Sequence, residues 1–193
     1  MKEEREFPVM KTKRLLLWLP TVEAAPRMLA FVKENQEHFA PWSPPDPPGY
    51  YTEAYWRERL ALARTEFRRG QSMRLVFFER QRPEGPVVGD CNFTNIVRGA
   101  FQSCYLGYKI DRQRVGQGLM SEALAAAITY AFDDLGLHRI MANYVPVNER
   151  SGRLLRRLGF VVEGYARDYL FIAGEWRDHV LTSLTNPGIN LKR

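Results

Sequence analysis

The chain predicts an α/β domain of mixed α+β type, in which helices flank a largely antiparallel central sheet. Three observations carry that expectation. Three short runs rich in β-branched and aromatic residues follow one another between turns; the period then changes to that of an amphipathic helix; and a strand, a short helix and a hairpin complete the chain. With 193 residues and 45% hydrophobic content, one domain with one packed interior accounts for the whole. We expect it to span 8–186, with flexible tails at 1–7 and 187–193.

In chain order, 13–19 reads as a strand. Thr21 is a candidate N-cap for a helix to about Asn35, with Glu23 in its first turn and Met28, Leu29, Phe31 and Val32 near helical spacing. From Pro41 to Gly49 the prolines sustain neither helix nor central strand, because each lacks a donor and restricts its predecessor. This is a stiff loop, either a lid or binding loop or a rigid connector with Trp42 buried. Residues 51–69 read as a helix stopped at Gly70. The three strands are 73–79, 87–96 and 103–110, an antiparallel meander. Met120, Ala123, Leu124, Ala127, Ile128, Ala131 and Leu135 then recur at i, i+3, i+4, i+7, i+8, i+11 and i+15, one face of a helix. Residues 139–145 follow as a strand. Residues 148–158 form a short helix capped by Asn148 and closed at Gly159, and 161–172 with 176–184 form a hairpin around Ala173 and Gly174.

A formal net charge of +6 suggests an anionic partner: nucleic acid, a protein bound to it, or a phosphorylated cofactor. Two cysteines and three histidines stand far apart, so neither a disulfide scaffold nor a metal centre is expected. Apolar runs such as 15–19 fall far short of the ~20 residues that span a bilayer. With no secretory signal pattern either, the expected location is the cytoplasm, with no membrane association.

The most informative local feature is Gln113, Arg114, Val115, Gly116, Gln117 and Gly118, between a strand and the amphipathic helix. Glycines let the backbone approach a ligand closely, and the first helical amides with the helix dipole favour anions. Arg112 and Arg114 add positive charge, so a pyrophosphate suits the loop. A Walker loop requires Gly-Lys-Ser/Thr, but Leu119 and Met120 follow Gly118; a dinucleotide fingerprint requires a third glycine where Ser121 stands.

Strand, Gln113-x-x-Gly116-x-Gly118, long helix, strand, then Asn148-x-x-Ser151 opening a short helix resembles the acetyl-CoA-binding half of the GNAT acetyltransferase superfamily. Further stretches resemble its branch that acetylates the N-terminal alanine of a ribosomal protein. They include Pro41-Trp42, Asn92-Phe93, Cys104 through Tyr108, His138 through Tyr144, Glu163 through Ala166 and Trp176 through Val180. The resemblance covers about residues 10–185. It implies acetyl-CoA as cosubstrate, held by Tyr108, Lys109, Ile110, the loop from Gln113 to Gly118, Leu119, Met120, Asn148 and Ser151. It also implies an acceptor at the N-terminus of a small-subunit ribosomal protein, beside which the basic surface would contact RNA.

The reaction so implied is attack of a free amine on a thioester. An α-amine with a pKa near about 8 is already partly neutral at pH 7, so a weak base or a held water suffices. The thioester oxygen suits backbone amides where the strand 106–110 parts from its neighbour, with Gly107 a candidate irregularity. By the resemblance, Ser151 is the candidate acid for the departing sulfur, with Tyr144 and Tyr165 in reserve. Leu170 stands where some relatives carry a basic glutamate, which leaves Asp168 as candidate base, or Asn92 and Asn95 as holders of a water. His179 reads as a packing residue. Two other functions remain compatible with the sequence: acetylation of a small amine, or a non-catalytic ribosome- or RNA-binding module.

Overall fold

A computed structural model of the chain describes residues 7–186 and Gly188. Its first element is a hairpin of β1 (Val9–Lys11) and β2 (Leu15–Trp18), of which only the second was expected. Lys13 and Arg14 form its tip, because the Thr12 amide and hydroxyl both donate to the Leu15 carbonyl. Phe7 is already part of the packed domain, one residue before the expected boundary. Its ring lies 5.9 Å from that of Phe67 and beneath the Arg64 guanidinium, at 3.6 Å.

Thr21 does not cap a long helix. Its hydroxyl turns to the Glu23 carboxylate, a 3-10 turn over Val22–Ala24 follows, and α1 begins at Ala25 (Ala25–Glu34) with Pro26 in the first turn, where no donor is required. The chain then makes α2 (Gln36–Phe39) and a 3-10 turn at Ala40–Trp42 before the proline loop. Trp42 is 42% exposed, which removes the buried-connector reading of that loop. The Ser43 carbonyl accepts from the Ala173 amide at 3.1 Å, so the loop is tied to the tip of the last hairpin.

α3 (Glu53–Arg68) is capped by the Thr52 hydroxyl accepting from the Tyr55 amide. The meander is β3 (Met73–Glu79), β4 (Gly89–Val97) and β5 (Ser103–Ile110), followed by α4 (Leu119–Asp133), β6 (Arg139–Met141), α5 (Glu149–Arg157), β7 (Val161–Ile172) and β8 (Glu175–Thr185). The sheet order is β1-β2-β3-β4-β5-β6-β8-β7, antiparallel throughout except for the β5–β6 pair.

Both faces of the sheet centre are covered. Leu75 and Phe77 join the core beneath α4, together with Leu154 and Leu155 of α5, whereas Val76 and Phe78 join the core beneath α1 and α3. This is why 75–78 is an unbroken apolar run rather than an alternating one. Among the described residues no helix is long and apolar enough to cross a membrane.

Candidate active site

The site begins with a parting of strands. β5 pairs with β6 only from Ser103 to Tyr105, opposite Arg139 to Met141, yet β5 runs on to Ile110. Past Met141 the chain leaves β5 but keeps β8, through the Ala142 amide to Thr182 and the Tyr144 amide to Val180. The strand expected over 139–145 is therefore shorter as a β5 neighbour, and a wedge opens between Ile110 and Tyr144. Because the Asp111 amide donates to Val88, alternation turns the amides of Gly107 and Lys109 toward β4 and those of Leu106, Tyr108 and Ile110 toward the wedge.

Gly107 lies on the stretch that has parted from β6, as expected, but its pairing with β4 is regular. The register runs through it unbroken; the bulge lies in β4 between Thr94 and Val97, where Asn95 adopts φ +51°. Lys109 is not brought to the wedge. It faces Asp90 across the ladder, and its ammonium lies 5.0 Å from the Phe39 ring centre.

At the wide end of the wedge stands the glycine loop. Gly116 and Gly118 have φ of +80° and +75°, which a side chain would strain, and Gly118 is the N-cap of α4. Leu119 and Met120 bury their side chains in the core, so they offer the loop their amides. Gln113 holds the loop's shape: its carbonyl accepts from the Gln117 side chain, and its amide donates to Asp111. Arg114 is turned away to Glu79 at 2.5 Å. In its place comes Arg14 from the β1–β2 tip, which donates to the Gln117 carbonyl and pairs with Glu122; a Cβ added at Gly118 would lie 3.6 Å from its guanidinium. No sequence signal joins Arg14 to a loop a hundred residues away.

On the side of the wedge opposite β5, the Asn148 side chain accepts from the Ser151 amide at 3.2 Å and sets the first turn of α5. This turn brings the Ser151 hydroxyl to 2.6 Å from the Tyr108 hydroxyl, across the opening. Burial pushes the Tyr108 phenol up to about 12, against the pull of the Ser151 bond, so it stays protonated at working pH. Either hydroxyl can donate in this bond, and with Tyr108 as donor the Ser151 proton is free for a ligand in the wedge. Tyr144 closes the group: its phenol packs so tightly on Gly152 that a Cβ there would sit 2.8 Å from it.

The other candidates lie elsewhere. Asp168 is an exposed bulge residue with φ +49°, its amide held by Asp178 at 2.9 Å. Tyr165 is exposed and donates to the other oxygen of Asp178 at 2.6 Å. Asn92 donates to Asp90, and His179 is buried with its ring 5.3 Å from that of Tyr169.

Sequence reasoning passed over Asp90, a buried carboxylate in β4. Burial pushes its pKa up to about 6, although Lys109, Asn92 and Arg74 favour the charged form. A raised folded pKa means stability held at low pH and lost as pH rises through about 6. We expect Asp90→Asn to stabilise the domain by about 3 kcal/mol at pH 8, with no gain near pH 3, as read by thermal melts across pH.

Comparison with known proteins matches the family model described as an acetyltransferase (GNAT) domain to residues 14–161. The chain is 44% identical over 178 residues to the [ribosomal protein uS5]-alanine N-acetyltransferase of Escherichia coli, covering 92% of this chain and 91% of that protein. A solved ribosomal-protein-S5-alanine acetyltransferase from Vibrio fischeri superposes with a TM-score of 0.89 at 32% identity, covering 94% of this chain and 98% of that one. Mycobacterium smegmatis RimJ in complex with CoA-disulfide does so with a TM-score of 0.84 at 28% identity, over 92% and 86%. A wedge between parting parallel strands, with a glycine-capped helix at its wide end, thus coincides with a family match over most of the sequence, and the chain belongs to the GNAT acetyltransferase family.

Proposed function

We propose that the protein transfers the acetyl group of acetyl-CoA to the N-terminal α-amine of a small-subunit ribosomal protein, with the alanine end of uS5 the first candidate. The observation that carries this is the wedge itself: open β5 amides at one edge, a hydroxyl pair across it, and an uncovered helix N-terminus at its mouth. Similarity to the uS5-alanine enzyme over nearly the whole chain supports the acceptor.

The acting unit is the single domain over 8–186, with Phe7 packed on it. Acetyl-CoA supplies the activated acyl group as a thioester. The loop from Gly116 to Gly118, the first amides of α4 and the guanidinium of Arg14 receive its pyrophosphate. The wedge-facing amides of Leu106, Tyr108 and Ile110 hold the arm and polarise the carbonyl oxygen. Asn148 fixes the turn from which Ser151, backed by Tyr108, hydrogen-bonds the departing sulfur. An enzyme using acetyl-CoA on a ribosomal protein works in the cytoplasm. Exposed Arg150, Arg153, Arg156 and Arg157 along α5 give it a basic face toward neighbouring RNA.

The described hydrogen bonds of Tyr108 and Ser151 include no carboxylate, which supports a reaction in which the α-amine loses its proton largely by its own acidity. kcat/KM for an N-terminal alanine peptide is therefore expected to rise with pH to a plateau above about 8, without a break near 6. Whole uS5 incubated with acetyl-CoA should gain one acetyl group at its N-terminus by mass spectrometry. Acetyl on internal lysines, or on polyamines in preference to any protein N-terminus, would overturn the acceptor assignment.

A further inference from the structure

We propose that Tyr105, Tyr169 and Asn143 form the seat of the incoming amine, and that the bulge at Asp168 serves to place Tyr169 in it. The inference rests on the acetyl-transfer reading above and goes beyond it by naming the residues that receive the acceptor.

Position is the first argument. Tyr105 is the last β5 residue paired with β6, opposite Met141, and Asn143 follows on that strand's course, so the two stand at the apex of the wedge. Register partners share a face, and side chains alternate. Leu106 packs in the core beneath α4 and Tyr108 against it; Tyr105 therefore stands on the opposite face, the one covered by α1 and α3. An amine approaching from there meets the narrow end of the wedge while the hydroxyl pair of Tyr108 and Ser151 lies on the far side.

Direction is the second. The Thr182 amide donates to the Asn143 side-chain oxygen at 3.2 Å, which fixes that amide and aims its nitrogen at the Tyr169 hydroxyl, at 3.1 Å. Burial first, and then the neighbouring Tyr105 hydroxyl, raise the Tyr169 pKa, so Tyr169 stands beside Tyr105 as a neutral phenol. The cluster opens to solvent at Tyr105, which is 38% exposed. Its oxygen is the acceptor left for an outside N–H. Neutral phenols do not take up the ammonium proton; they hold the neutral amine by one N–H and leave its lone pair facing the wedge. Attack forms the C–N bond and breaks C–S. The amine's surplus proton passes to solvent, and the sulfur departs against Ser151.

The bulge is the third. β7 and β8 pair at Ala166 with His179 and again at Leu170 with Arg177, so three β7 residues face Asp178 alone. Asp178 fastens them by accepting from the Asp168 amide and from Tyr165. Bulges re-aim side chains, and here the residue after the left-handed Asp168 is Tyr169. Buried His179, its Nδ1 at 3.0 Å from the Arg177 carbonyl, supports the Tyr169 ring from behind. Asp168 is thereby a positioning residue.

The test uses the full chain. Tyr169→Phe and Tyr105→Phe are expected to lower kcat/KM for an N-terminal alanine peptide about 10-fold, with the Kd for acetyl-CoA and the Tm unchanged. They should also abolish the preference of the wild type for that peptide over its des-amino analogue in competition, which a merely structural defect would not do. Asp168→Gly, which accepts the left-handed angle, is expected to stay within about threefold of wild type, whereas Asp168→Val falls as Tyr169→Phe does. An inactive Asp168→Gly, or tyrosine variants with wild-type kcat/KM and an intact preference, would overturn the seat alone. Wild-type protein that binds acetyl-CoA yet acetylates no N-terminal peptide would overturn the acceptor reading and the seat with it.

Discussion

Replacing Gly118 by aspartate is expected to weaken acetyl-CoA binding by roughly 100-fold or more while the domain remains folded. Gly118 sits at φ +75° as the N-cap of α4, an angle that costs an L-residue about 1–2 kcal/mol. The larger effect is electrostatic. A Cβ there lies 3.6 Å from the Arg14 guanidinium, so the new carboxylate would pair with Arg14 and face the open α4 amides, occupying the cradle with an anion of the protein's own. That internal pairing offsets part of the strain, and the fold survives. Gly118→Ala separates the two contributions, since its methyl meets only an ordinary contact: its Tm should fall by about 2–8 °C with a much smaller loss of affinity. Calorimetric titration of wild type and both variants decides. Equal affinity in the aspartate variant would place the pyrophosphate elsewhere.

Ser151→Ala is expected to lower kcat roughly 10- to 100-fold with little change in the Kd for acetyl-CoA. The Tyr108 phenol is far too weakly acidic to give its proton away completely, and Ser151 is a relay rather than a strong acid. What the pair supplies is a hydrogen bond to a sulfur that becomes negative only as the C–S bond breaks, worth about 1.5–3 kcal/mol for a charged acceptor. Tyr108→Phe should reproduce part of the loss, and the double variant should be no slower than Ser151→Ala, because both act through one hydroxyl. Single-turnover kinetics at saturating cosubstrate would measure it. Unchanged kcat in Ser151→Ala would leave Ser151 a first-turn helix residue and move the role to Tyr144, whose phenol packs on the same turn at Gly152.

Local chemistry was legible in the sequence wherever a few neighbouring residues decide it. The limits of β3 and β5, the apolar stripe of α4, the Asn148 cap and the left-handed glycines at 116 and 118 all follow from periodicity, capping and backbone sterics, which act within a turn or two. The motif and the longer resemblance added the family. The errors fell where a local preference met a distant competitor. Thr21 chose Glu23 over capping a helix, and Lys13 left its expected strand to make a hairpin tip.

What only the tertiary structure decided is which residues meet. The wedge exists because Ala142 and Tyr144 follow β8 rather than β5, a choice made by ladder bonds to a strand some forty residues later. Arg14 reaching Gly118, Tyr108 meeting Ser151 and Tyr169 joining Asn143 are likewise contacts between elements far apart in the chain. Asp168 shows the division most plainly. Its sequence position made it a candidate base, but a bulge that no propensity predicts gave it a left-handed backbone and its neighbour the inward place. The sequence by itself determined most of the elements, the left-handed glycine turn before α4 and the family, since those depend on local sterics and spacing. Register, bulges and long-range hydrogen bonds, which depend on packing of the whole sheet, determined where the chemistry converges.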